Sequence, residues 1–391
     1  MRLTLVTFLA LGALVTPAVA AVNLYASSYS GKISSLSLSL EASGEYVLNT
    51  TSVVTEAGTS PSWLEKKDDV LYSTDEGFSG SSYVSSYSTS ESGELTLMGR
   101  GSTLSGPVSS IVYNGGKGLA VAHYGGSATT SWTIRSNGTL VPLQNLTFTG
   151  PLGPNTERQE APHPHQTIVD PTDSFILVPD LGSDLVRVFS IEKSTSALTE
   201  TTPLVTPPGS GPRHGAFMKA ACGNTYLFVI YELSNSIASY KVTYQGAHLA
   251  FEEVFMAGTY GPTTTPAGAA GAEVLLSPDN RFLMTSSRND SLFQIPSFEP
   301  GSTSELIASD TLQSWAIDDA TGTLTFVQLA PAGGKFPRQF SLNKAGTLAA
   351  VGLQRDGMVV VMERDVASGK FGKFVASVPV EGEVNTVIWD E

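Results

Sequence analysis

Only one cysteine, Cys222, occurs in the 391 residues. No intrachain disulfide can form, so the fold must be held by burial alone. The lone thiol is expected to be a buried or half-buried packing group. Charge is scarce as well: Asp, Glu, Lys and Arg make up 15% of the chain, with 22 Lys and Arg against 36 Asp and Glu, for a net charge of −14. An acidic chain without a basic cluster has nothing with which to hold nucleic acid or an anionic membrane surface. After the first twenty residues no apolar run approaches the roughly 20 residues that a membrane span needs. No Gly-x-Ser-x-Gly elbow, P-loop or dinucleotide fingerprint stands where its mechanism requires, which removes the serine hydrolase, kinase and dehydrogenase readings. Histidine is limited to five residues, so histidines placed close together stand out.

The chain begins with Arg2, an apolar stretch from Leu3 to Val15 and the small-residue site Ala18-Val19-Ala20. That is the three-part pattern of a secretory signal peptide. It predicts a leader over 1–20, a single mature domain over 21–391, and a secreted, extracellular protein, compatible with association with a cell wall. Four Asn-x-Ser/Thr sequons, at Asn49, Asn137, Asn145 and Asn289, are glycosylation candidates in such a setting.

Gly, Ser and Thr are abundant, as in a turn-rich β protein. A short turn signature recurs seven times: at Gly44, Gly93, Gly138, Ser196, Gly246, Gly322 and Gly369, each between runs of β-formers. Most intervals are about 45–58 residues, and one is 76. A unit of roughly 50 residues suits a four-stranded propeller blade. The predicted fold class is therefore all-β, a seven-bladed β-propeller of four-stranded antiparallel blades. Pairing Val22–Tyr25 with Val384–Trp389 would close the ring and remove its open edges. The long interval contains two Gly/Pro/Ser/Thr-rich stretches, 258–271 and 296–312, expected to be surface loops.

A second repeat carries the chemistry. Pro61, Pro107, Pro164, Pro212 and Pro337 each precede a strand, and the next strand of the unit ends in a polar residue: Glu76, His123, Asp180, Glu232 or Gln354, with Arg288 in the unit that lacks the Pro. His165, Arg213 and Arg338, each just after its Pro, occupy equivalent places. If these are inner strands, both sets face the central channel. His163 and His165 stand i, i+2 and would share one side of an extended segment. General acid/base use and metal ligation are both open to them. His-x-His is a weak metal signal, with only Glu160 and Asp180 able to join it in space. Arg213 and Arg288 could hold a carboxylate or phosphate, or pair with Glu232 or Asp180. Glu232, between Tyr231 and Leu233, could be a carboxyl with a raised pKa that moves a proton, or simply a partner for Arg213. Asp180-Leu181-Gly182-Ser183-Asp184 has turn chemistry and too few oxygens for a calcium loop.

Taken in order, His163-Pro164-His165, Asp180-Leu181-Gly182-Ser183-Asp184, Gly211-Pro212-Arg213-His214, Tyr231-Glu232-Leu233-Ser234-Asn235 and Ser277-Pro278-Asp279 resemble the seven-bladed lactonase family. That family includes bacterial-type 6-phosphogluconolactonases and fungal carboxy-cis,cis-muconate cyclases. The resemblance covers essentially the whole mature chain. It implies a histidine, a glutamate and two arginines in the site, falling on His165 (or His163), Glu232, Arg213 and Arg288. The candidate catalytic residues are then His165, Glu232 and His163. The candidate substrate-binding residues are Arg213, Arg288, His214 and Asp180. Arginines would hold a small carboxylate or lactone while a His/Glu pair moves a proton, with no cofactor and no metal. The alternative is a secreted glycoprotein that keeps the scaffold as a binding or surface-interaction module.

Overall fold

The computed structural model describes residues 21–78, 80–299, 301–302 and 304–391; the expected leader lies outside them. The described residues form seven antiparallel sheets in a ring. Blades 1, 2 and 3 span 61–102, 107–147 and 168–205, and blades 4, 5 and 6 span 212–258, 270–331 and 337–379. Blade 7 is built from both ends of the chain: Val384–Trp389 pairs antiparallel with Val22–Ser28, Leu24 opposite Trp389. The ring is thereby closed by hydrogen bonds between the two ends of the chain, and only the short edges of the separate blades remain. No helix among the described residues is long and apolar enough to cross a membrane.

Why these segments become blades follows from burial. The second strand of a blade is sandwiched on both faces and reads as a continuous apolar run, as in Phe175–Asp180, Gly118–His123 and Leu348–Leu353, every residue of which is buried. Outer strands such as Leu95–Ser102 mix exposed and covered positions. Alternation divides the second strand between two neighbours: Ile176 and Val178 pack toward blade 2, and Phe175 and Leu177 toward blade 4. The apolar clusters follow the same logic, one for each blade–blade contact, from Leu64 and Leu71 against Tyr25 and Ile33 round to Leu348 and Val361 against Leu24 and Leu36. Each fully buried aliphatic contributes roughly 1.5–3 kcal/mol. The core is thus a ring of layers around a polar channel.

The recurring turn joins the third and fourth strands of every blade. All seven of its marked residues are left-handed, from Gly44 at φ 85° to Gly369 at φ 75°, with Ser196 at φ 63° in blade 3. These turns lie on the face opposite the Pro-marked strand starts, here called the far face. Cys222, on a far-face turn of blade 4, is exposed, not buried. The 296–312 stretch is only partly a loop: Leu306–Ser309 pairs with Phe293–Pro296 as a small hairpin.

Candidate functional site

At the mouth, the first strand of a blade begins beside the end of the second, and the pairing is broken there by a one-residue bulge. Pro61 pairs with Asp75 and Trp63 with Thr74, leaving Ser62 unpaired; Val108, Arg213 and Arg338 are displaced in the same way after Pro107, Pro212 and Pro337. Asn385 is the bulged residue of blade 7. In blade 3, Pro164 bridges Asp180 and His165 follows. A bulge bends the strand and re-aims a side chain. Ser62, Val108, His165, Arg213, Arg338 and Asn385 all line one narrow cavity of about 10 Å³ inside the channel, with Trp63, His214 and Gln339. The polar set predicted to lie together in the channel therefore arises from a repeated backbone irregularity.

Register separates the second predicted set into two groups. His123 and Asp180 pair directly with Pro107 and Pro164. Glu76, Glu232 and Gln354 stand one residue beyond the pairs Asp75–Pro61, Tyr231–Pro212 and Leu353–Pro337. One residue on a strand is the opposite side. His123 accordingly turns into blade 2, fully buried, with Nδ1 3.0 Å from the Leu104 carbonyl and Nε2 3.0 Å from Thr130 Oγ1. Burial lowers its pKa to about 4. Asp180, also fully buried, takes the Arg187 Nε–H at 2.8 Å and the backbone N–H of His163 at 2.7 Å. It holds the His163 loop in place and is out of reach of a ligand in the channel. The residues that do take the mouth position in those blades are Tyr124 and Leu181.

Glu232 is the centre of the charged cluster. One of its oxygens lies 3.0 Å from Arg213 Nε and 2.7 Å from Arg288 Nη2; the other lies 2.6 Å from Arg158 Nη2. Burial would raise this carboxyl, but the guanidiniums of Arg288, Arg213 and Arg158 outweigh it and hold it far below the usual carboxylate range. The expectation of a raised pKa is reversed: Glu232 stays ionised and has no proton to give at neutral pH. Burial and the neighbouring Arg288 bring Arg213 down to about 9, still a cation at neutral pH. Three guanidiniums share one carboxylate, so this arc of the mouth carries surplus positive charge inside an acidic protein. Across the channel, Arg338 Nη2 stands 3.7 Å from Glu76, whose Oε1 takes the Tyr29 hydroxyl at 2.6 Å.

The histidines divide likewise. His163 stacks on Tyr124 with ring centres 4.0 Å apart; its Nδ1 lies 2.9 Å from the Tyr124 carbonyl and its Nε2 3.1 Å from Glu160. Both of its nitrogens are engaged. His165 places Nδ1 3.1 Å from His214 Nε2, while no protein group among the described residues bonds its Nε2. Burial, then Arg213, His214, Arg338 and Arg288, hold it well below the ordinary histidine pKa, so the ring is neutral at pH 7. His214 has both nitrogens occupied, with Nδ1 2.8 Å from Glu273, which leaves no place on its ring for a substrate. Sequence reasoning missed Glu273, Arg158 and Tyr124. Glu273 sits in a unit without the Pro marker, and Arg158 is in an inter-blade loop with no repeat partner. Among the described residues no group of three or more His, Cys, Asp or Glu could hold a metal ion. The four sequon asparagines are all exposed; Asn289 is at the mouth, where its Nδ2 donates to the Gly268 carbonyl at 3.0 Å.

A family model described as "Lactonase, 7-bladed beta-propeller" matches residues 20–389. A protein of Arthroderma benhamiae named "Probable 6-phosphogluconolactonase" is 32% identical over 316 residues, 80% of this chain and 75% of that protein. The 6-phosphogluconolactonase of Bacillus subtilis is 25% identical over 81% of this chain and 82% of its own. Among solved structures, the periplasmic gluconolactonase of Pseudomonas aeruginosa superposes with a TM-score of 0.75 at 24% identity, covering 95% of this chain and 99% of that one; at that identity it speaks to the fold alone.

Proposed function

Because the chain belongs to the seven-bladed β-propeller lactonase family, we propose that it hydrolyses a small lactone carrying an anionic group, in the channel mouth and outside the cell. The observation that carries this reading is the convergence of Arg158, Arg213 and Arg288 on a single buried carboxylate, beside a neutral histidine whose Nε2 is unpartnered. The surplus guanidinium charge supplies an anion site, and fixed cations in a partly dry channel stabilise the oxyanion that forms when a lactone carbonyl is attacked. Water attacks that carbonyl as His165 Nε2 takes its proton. The ring C–O bond then breaks, and the proton returns to the departing ring oxygen. Glu232 acts as the counter-ion that keeps three guanidiniums assembled in the empty site. Hydrolysis is preferred to muconate cyclisation because the relatives are named for lactone hydrolysis. The leader pattern favours a sugar-acid lactone met outside the cell over an intracellular sugar phosphate.

The test is turnover of gluconolactone, a carboxylated lactone and 6-phosphogluconolactone by purified protein, followed by pH-stat after subtracting spontaneous hydrolysis. Turnover that falls at least a hundredfold in Arg288→Ala supports the reading. No turnover of any of the three overturns it.

A further inference from the structure

We propose that Glu273 and His214 are positioning residues that set the tautomer of His165 and share the charge His165 acquires, an inference that rests on reading His165 as the base. The proton positions follow from which partners can donate. A guanidinium only donates, and Arg213 Nη1 stands 3.3 Å from His214 Nε2, so that nitrogen accepts. The His214 proton is then on Nδ1, 2.8 Å from Glu273 Oε1, which also accepts the Val274 N–H at 2.9 Å. With His214 Nε2 accepting, His165 Nδ1 must be the donor across their 3.1 Å contact. The lone pair of His165 is thereby left on Nε2. Were Glu273 to donate instead, both rings would reverse and the base would be lost.

The blade 5 bulge delivers Glu273. Gly271 pairs with Ser287 and Val274 with Thr285, so Ala272 and Glu273 face Ser286 alone, one residue in excess as in the other blades. Ala272 takes the place that Arg213 has in blade 4 and Glu273 that of His214, and the Glu273 N–H is held by Ser286 Oγ at 3.1 Å.

Electrostatics gives the arrangement its purpose. A proton arriving on His165 adds a cation beside Arg213, Arg288 and Arg338, with Tyr124 against the ring edge. His214 faces Glu273, Arg213 and Arg338, with the Trp63 ring edge-on 5.6 Å away. Glu232 is already shared by three guanidiniums. Glu273 is the one carboxylate among the described residues bonded to the histidine pair, and its Oε2 has no hydrogen-bond partner. It also lines a second, open cavity of about 460 Å³ that reaches the far-face turns at Pro278 and Lys344. A small carboxylate could enter from that side if the Glu273 side chain were removed.

The experiment compares Glu273→Ala, Glu273→Gln and His165→Ala in the full chain with gluconolactone as substrate, alongside ¹⁵N NMR of the His165 ring. We expect Glu273→Ala to lower kcat 10²–10³-fold with KM changed less than threefold, and millimolar formate to restore at least tenfold. Glu273→Gln, which keeps the shape and serves if the alanine variant misfolds, should lower kcat at least tenfold and shift the acid limb of the kcat–pH profile. In the parent protein, the ¹⁵N signature should place the His165 proton on Nδ1, whatever the turnover. Loss of activity in His165→Ala with full kcat in both Glu273 variants, or a His165 proton on Nε2, would overturn the relay and leave the base intact. Full activity in His165→Ala would overturn the base reading itself.

Discussion

On the far face, all seven blades end in a tight turn with one residue of left-handed φ, and six of the seven are glycine. At the mouth, the bulged places of the same blades hold Asn385, Ser62, Val108, His165, Arg213, Ala272 and Arg338. The backbone repeats equally well on both faces; the side chains repeat on one. A tight hairpin turn needs positive φ in every blade, and that demand admits few residues. A bulge only aims a side chain, so each blade can present a different group. The far face is therefore read as architecture, and the mouth as the place where sevenfold symmetry was broken for chemistry.

That contrast can be tested from its largest expected effect downward. Acid should act through the mouth side first. His123 and His214 are lowered to about 4 by burial, against an unfolded value near 6.5. The unfolded chain binds the extra protons in that window, so stability is complete above about pH 6.5 and falls as pH drops toward 4. The expected loss is several kcal/mol, seen as a steep fall in Tm between pH 6.5 and 4.5 and a flat Tm from 7 to 8. A flat profile through the acid window would contradict the burial of these rings as neutral species.

Next is Glu232→Gln, which leaves three guanidiniums uncompensated. Losing one partner of a buried pair costs about 3–5 kcal/mol. Chemical denaturation should show that loss, and millimolar phosphate should recover part of it if the cluster is an anion site. Arg213→Ala should lower kcat/KM about 10²–10³-fold with a smaller stability change, since Arg288 and Arg158 remain on Glu232. The far face should give the opposite pattern. Gly322 has φ 74°, and an added Cβ would lie 2.3 Å from the Tyr226 ring. Gly322→Ala should cost about 1–3 kcal/mol and leave kcat within twofold. Smallest of all, Asn49→Gln, Asn137→Gln and Asn145→Gln together should leave kcat unchanged, because those exposed residues lie away from the mouth.

Much of the fold was legible because its demands are local. The left-handed turns, the buried second strands and the apolar ends that close the ring each leave a short-range mark. The site was legible only in part. His165, Arg213, Glu232 and Arg288 do converge, yet His123 and Asp180 were placed with Glu232 although they stand one residue short of it in register. Spacing along the chain cannot show such a slip, because the bulge that sets the register is a pairing event between strands. Glu273 escaped notice for the same reason: blade 5 has Gly271 where other blades carry the marker Pro, so its bulge has no signature until the partner strand is present.

By itself, then, the sequence determined the class of fold, the number of blades, the closure of the ring and the stock of polar groups at the channel, since these depend on local backbone preference and on alternating burial. Tertiary structure alone decided the state of those groups. The ionised Glu232 and the neutral His165 differ in what surrounds them: three guanidiniums brought from separate parts of the chain, and a second histidine backed by Glu273. Charge and proton position are properties of neighbours in space, and in a closed ring those neighbours are far apart in sequence.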